Sequence, residues 1–107
     1  MRSMIRCIQV LALAGCLACA RSFAQSNGEA IYKQKCLNCH GVAGLANSGV
    51  GRVMKVKPAT DPNVRKMGEA EMMKAVRNEA GKMEAYKSSL TAAEIKASVE
   101  YFRTFVK

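Results

Sequence analysis

Cys36-Leu37-Asn38-Cys39-His40 sets two thiols three positions apart and follows them with the only histidine of the chain. Whatever these three side chains hold, the rest of a small domain must fold around it. The chain has 107 residues, enough for one small domain and too few for a multi-domain enzyme. Half of its residues are hydrophobic, which excludes wholesale disorder. One histidine excludes chemistry that needs two imidazoles from the same chain.

The N-terminus is read first as an export signal. Arg2 and Arg6 form a positive n-region, and an apolar stretch runs from Cys7 to Ala20, broken by Gln9. It is short for a membrane span, which needs roughly 20 apolar residues. Ser22-Phe23-Ala24 has the small-bulky-small pattern of a cleavage site, so cleavage is expected after Ala24. Ala18-Cys19-Ala20 is a second possible site. A competing reading is lipidation: Leu13-Ala14-Gly15-Cys16 resembles a lipoprotein processing box, with Cys16 as the lipid carrier. Either way the protein leaves the cytoplasm, for the periplasm in a bacterium. The working domain is then 25–107, which retains 14 basic and 8 acidic residues and, of the five cysteines, Cys36 and Cys39.

A domain this small is hard to stabilise with side chains alone. Its aromatics are Tyr32, Tyr86, Tyr101, Phe102 and Phe105. Three main helices are predicted. The first spans Gly28 to Cys36, opened by Ser26 and Glu29 as a capping box, with Ile31 and Tyr32 facing inward. The second spans Glu69 to Ala80. Gly68 is its N-cap, Met67 and Met72 form a staple around the cap, Met72, Met73 and Val76 make the apolar face, and Gly81 is the stop. The third runs from Thr91 to about Val106, with a Thr91–Glu94 capping box and a Leu90–Ile95 staple. Between the first two lies a Gly-rich loop from Gly41 to Asp61. A loop of that length needs a reason, and wrapping a large ligand is one. No stretch makes a convincing strand, although Val53 to Val56 could pass as a short one. The fold class is all-α.

C-x-x-C-H is the spacing of c-type haem attachment. Two thiols at a helix end can each add across one haem vinyl group, and the histidine that follows is held beneath the porphyrin to bind iron. Three other readings compete. A thioredoxin-type pair sits after a strand in a βαβ unit, which the pattern lacks. A structural zinc wants four ligands where this domain offers three. A surface disulfide leaves His40 and the long loop unexplained. One motif means one haem. The sixth iron ligand is then a Met, Lys, Tyr, a chain terminus or nothing. Met54, Met67, Met72, Met73 and Met83 all follow the motif. Met67, Met72 and Met73 belong to the second helix or its cap, where Met fills cores, and Met54 can pack on the haem edge. Met83, in the loop between the second and third helices, is the preferred ligand.

The chain resembles the small class I c-type cytochromes over the whole of 25–107. The resemblance rests on Gly28 and Tyr32 ahead of Cys36–Gly41, on Gly81-Lys82-Met83-Glu84-Ala85-Tyr86, and on Leu90–Ile95 leading to Tyr101-Phe102. It implies a cytochrome c-like domain of three main helices wrapped around one covalently bound haem. Cys36 and Cys39 would carry the haem, with His40 and Met83 as iron ligands. It also implies that the closing helix crosses the first, with Gly28 and Tyr32 against Val99 and Phe102. Two departures stand out. Glu84 occupies the place after Met83 where many members have proline, and the first proline after the motif is Pro58. The carbonyl that orients His40 is therefore left open.

The function expected is electron transfer, not catalysis. The rivals are a gas-binding or sensing haem protein with an open distal site, and a haem subunit of a larger oxidoreductase. The expected state is a monomer that meets redox protein partners. Lys82 and Lys87, which flank Met83, could steer it to acidic docking surfaces. Arg52, Lys55 and Lys57 add to the basic surface. Nucleic-acid binding is not expected, and membrane attachment only through Cys16.

Overall fold

The computed structural model describes residues 27–107. The signal sequence, the cleavage sites, Cys16 and the Ser26 cap lie outside the described residues. Five helices and no strand occur among the residues described. Helix α1 covers 27–40 and includes a π-turn at Tyr32–Cys36 and a final α-turn at Leu37–His40. Next come α2 (Gly49–Val53), α3 (Pro62–Lys66), α4 (Glu69–Asn78) and α5 (Ala92–Arg103). The all-α expectation holds, with α1, α4 and α5 as the three main helices.

The first helix does not end at Cys36 but carries the whole motif to His40. The Leu37 amide donates to the Tyr32 carbonyl, five residues back, and so inserts one extra residue into the helix. Gly41 then stops it at φ 82, where an L side chain is strained. Ile31 and Tyr32 face inward at 5 % and 1 % exposure.

α5 closes over α1. A Cβ on Gly28 would strike the Ala97 carbonyl group, so the glycine allows the two backbones to touch. The expected contact of Gly28 with Val99 is thus made two residues earlier, on backbone. Tyr32 meets Phe102 as expected, ring centroids 6.4 Å apart, and also Tyr101 at 5.2 Å and Phe105 at 5.7 Å.

α4 lies against α5 around Ile31, Met72, Leu90, Ile95 and Val99, with Met67, Met73 and Val76 packed on that cluster. The Thr91 capping box is complete in both directions: the Glu94 amide donates to Thr91 Oγ1 at 3.1 Å and the Thr91 amide to Glu94 Oε1 at 3.0 Å. Leu90 and Ile95 are both buried. The α-helix ends at Arg103, short of Val106, because Phe105 and Val106 turn to i−3 carbonyls.

Two expectations fail, the loop without helix and the end of the second main helix. The loop 41–61 contains α2, capped by Ser48, whose hydroxyl accepts from the Gly51 amide at 3.0 Å. Val53 to Val56 is no strand: it is the end of α2 and a turn with Lys55 at φ 54. α4 also stops two residues short of Ala80. Glu79 takes φ 86, and Ala80 exchanges backbone bonds with Met83 instead of continuing the helix.

Candidate haem site

The helix end, the loop after α2, α3, α4 and the segment 79–90 enclose one cavity of about 780 Å³. That volume lies within the range of pockets that bury a drug-sized molecule, roughly 300–1,000 Å³. Its walls are mostly apolar. Cys36, Cys39 and His40 line it from α1, Met83 and Tyr86 from 79–90, and Met54, Met67 and Met72 from between. All four residues expected at the site therefore meet on one cavity. Met73 is not on the wall and serves the core.

An empty cavity of this size would be costly. Water that reaches its open side gains little from an apolar wall. The fold is built for an apolar occupant.

Three polar groups on the wall, the Cys36 and Cys39 thiols and the His40 imidazole, suit a metal-centred occupant. The Cys36 and Cys39 thiols are free. Burial pushes the Cys36 thiol up to about 11, with Cys39 adding to the shift, so it rests as the neutral thiol. Burial likewise pushes His40 down, which favours the neutral imidazole that binds metal. Its ring is braced edge-on by Phe102 at 5.4 Å. His40 Nδ1 is buried without a hydrogen-bond partner. No described carbonyl takes the orienting role that the sequence left open. Among the described residues, no three His, Cys, Asp or Glu side chains gather around a bare ion. A large apolar group with its own metal fits these walls better than a bare cation does.

Backbone contacts hold the motif from outside. A Cβ on Gly51 would strike the Cys39 carbonyl and lie 2.8 Å from the Ala46 carbonyl, so α2 sits directly on the helix end. Ser48 Oγ donates to the Asn38 carbonyl at 2.7 Å. Tyr32 donates its hydroxyl to the Gly41 carbonyl at 2.6 Å and ties the stop residue to the core. On the other side, Tyr86 donates to the Lys35 carbonyl at 3.2 Å. Sequence reasoning missed these four roles. Ser48, ahead of Gly49-Val50-Gly51, was a readable cap signal. The partners of the two hydroxyls were not readable. From the Gly-rich loop, residues 54–57 reach the cavity while 41–48 pack on α1 and α5.

The fold and the wall together define a small class I c-type cytochrome. Residues 23–102 match the family model "Cytochrome C oxidase, cbb3-type, subunit III", and the chain belongs to that family. A solved structure, "KustC0563 c-type cytochrome", superposes with a TM-score of 0.66 at 29% sequence identity, covering 75% of this chain and 98% of that one. No curated protein matches it. Domains of this kind work by haem-based electron transfer with redox partners and are generally exported. No described helix is long and apolar enough to cross a membrane.

Proposed function

We propose that the chain is an electron carrier with one haem, held covalently by Cys36 and Cys39 and ligated by His40 and Met83. The observation that carries this reading is the meeting of those four side chains, from two segments over 40 residues apart, on one apolar cavity. The haem supplies a one-electron couple between Fe(II) and Fe(III). His40, buried and neutral, offers a nitrogen ligand without first losing a proton. Met83 offers a soft thioether, which favours the reduced metal and raises the potential. The apolar wall excludes water and sharpens both effects.

Export is proposed on the N-terminal pattern, with cleavage after Ala24 and a lipid on Cys16 as the alternative; the mass of the mature N-terminus decides between them. Lys82 and Lys87 are exposed on either side of Met83. They are proposed to steer acidic redox partners to a monomer. Electron-transfer rates that do not fall with added salt would remove that role.

The experiment on the haem reading is a visible spectrum of the protein matured with a haem-attachment system: oxidised, reduced, and reduced under carbon monoxide. A covalent haem with a methionine–iron charge-transfer band and no response to carbon monoxide is expected. Met83→Ala should abolish the band and admit carbon monoxide. Immediate binding of carbon monoxide by the unmodified protein would favour a gas-binding role with an open distal position.

A further inference from the structure

We propose that Tyr86 is a positioning residue whose hydroxyl holds the Met83 turn closed against α1. The inference rests on Met83 as the distal ligand.

Met83 sits in a turn that is complete in itself. The Ala80 amide donates to the Met83 carbonyl at 3.2 Å, and the Met83 amide to the Ala80 carbonyl at 3.0 Å. Gly81 between them takes φ 58, and Glu79 ahead of them φ 86. These bonds shape the turn without placing it. Placement comes from bonds that leave the segment. The Tyr86 amide donates to the Val76 carbonyl at 2.9 Å and the Lys87 amide to the Arg77 carbonyl at 3.3 Å, both leading back to α4. Among the described residues, the hydrogen bond that joins 79–90 to α1 is Tyr86 hydroxyl to Lys35 carbonyl, at 3.2 Å and 51 residues apart in sequence.

Its position gives this bond its meaning. Lys35 directly precedes Cys36, and Tyr86 follows Met83 by three residues. The bond therefore joins the segment that carries the distal ligand to the helix that carries the attachment site, and the Tyr86 ring lines the cavity between them. Lifting the segment carries the thioether away from α1, and lifting breaks this bond. The surrounding positions 79–82, 84 and 87–89 are exposed and offer little apolar burial to resist such lifting. Removing the hydroxyl alone should raise the open population about three- to fivefold, the net worth of one hydrogen bond.

The test uses the mature haem-loaded protein with and without Tyr86→Phe, and Met83→Ala as reference. The probe is imidazole, titrated into the oxidised form and followed by loss of the methionine–iron band. Amide hydrogen exchange across 80–87 is measured in parallel. Tyr86→Phe should bind imidazole about three- to fivefold more tightly and speed exchange at the Tyr86 and Lys87 amides, whose bonds leave the segment, by the same factor. The midpoint of global unfolding should move far less than local exchange does. A purely structural role would reverse that order. Unchanged imidazole affinity together with unchanged exchange overturns the proposal. If the unmodified protein shows no methionine–iron band, the ligand assignment fails instead; exchange at 80–87 then decides on the Tyr86 bond alone, because it needs no iron to read it.

Discussion

On the α1 side of the cavity, Tyr32 is 1 % exposed and lies among Tyr101, Phe102 and Phe105. Glycines 28 and 51 bring two further backbones into contact around the same helix. On the 79–90 side, Met83 and Tyr86 are half-buried, and most of their neighbours in sequence face solvent. One wall is fixed by close packing, which tolerates little displacement. The other is anchored at its end by buried Leu90 and by the Tyr86 ring against the core, and around Met83 by a few hydrogen bonds, each worth about 1 kcal/mol. A haem protein can use that inequality. On the proposed reading the covalent side would fix the group in place, and the ligand on the other side would be left to set the potential and to gate access to the metal.

The largest effect should follow from breaking the packed side where it meets its occupant. Cys36→Ser with Cys39→Ser removes covalent attachment and leaves the 780 Å³ cavity without a permanent filler. We expect no haem on a denaturing gel and a lower midpoint of thermal unfolding by circular dichroism, since the apolar wall loses its permanent filler. A double variant that unfolds at the same midpoint as the parent would show that the packed wall stands without haem.

A smaller effect should come from the glycine contact between α1 and α5. Gly28→Ala adds a Cβ onto the Ala97 carbonyl group, with the carbonyl carbon 2.9 Å away. Backbone meets backbone there, so no side chain can rotate to make room. The cost of overpacking is about 1–3 kcal/mol, against about 1 kcal/mol gained in helix propensity. The net expectation is a loss of about 0–2 kcal/mol in denaturant unfolding. Gly49→Ala is the control. Nothing lies within 4 Å of its Cβ position, so it should be neutral or slightly stabilising. Equal losses at the two positions would deny any special closeness at Gly28.

The same contrast governs what the sequence revealed. The α5 start was readable because its capping box is made by residues three apart. The attachment motif was readable because its chemistry is contained in five residues. The π-turn was not: no local pattern announces it, and Tyr32 must satisfy both the α5 aromatics and the Gly41 carbonyl while the motif stays on the cavity. Gly51 was visible only as one glycine in a loop meant for wrapping a ligand. Its role is close approach to the Cys39 and Ala46 carbonyls, a relation across 5 to 12 positions that composition does not encode. α2 was overlooked because two glycines in five residues argue against a helix, and its contact with the end of α1 outweighs propensity. Met83 was singled out by its place in the loop between two helices, and the resemblance pointed to the same residue. The Tyr86–Lys35 bond beside it was not legible, because its partners are 51 residues apart.

The smallest effect is one that vanishes at neutral pH, and it separates the two walls by their tyrosines. Burial raises both Tyr32 and Tyr86 from 10.0 to about 12, with the Glu84 carboxylate adding to the shift at Tyr86. The folded chain therefore keeps these protons where the unfolded chain has released them. Their contribution to stability is full below pH 10 and is lost as pH rises through about 12. The losses should appear in different places. Ionised Tyr32 can no longer donate to Gly41 at the centre of the packed wall, so global unfolding should become easier across that window, and Tyr32→Phe should flatten the dependence. Ionised Tyr86 can no longer donate to Lys35, so imidazole should bind the oxidised protein more tightly across the same window, and Tyr86→Phe should flatten that curve while leaving the unfolding curve steep. If either substitution flattened both curves together, the two walls would be one cooperative unit. The packed side and the hydrogen-bonded side would then open only when the whole domain unfolds.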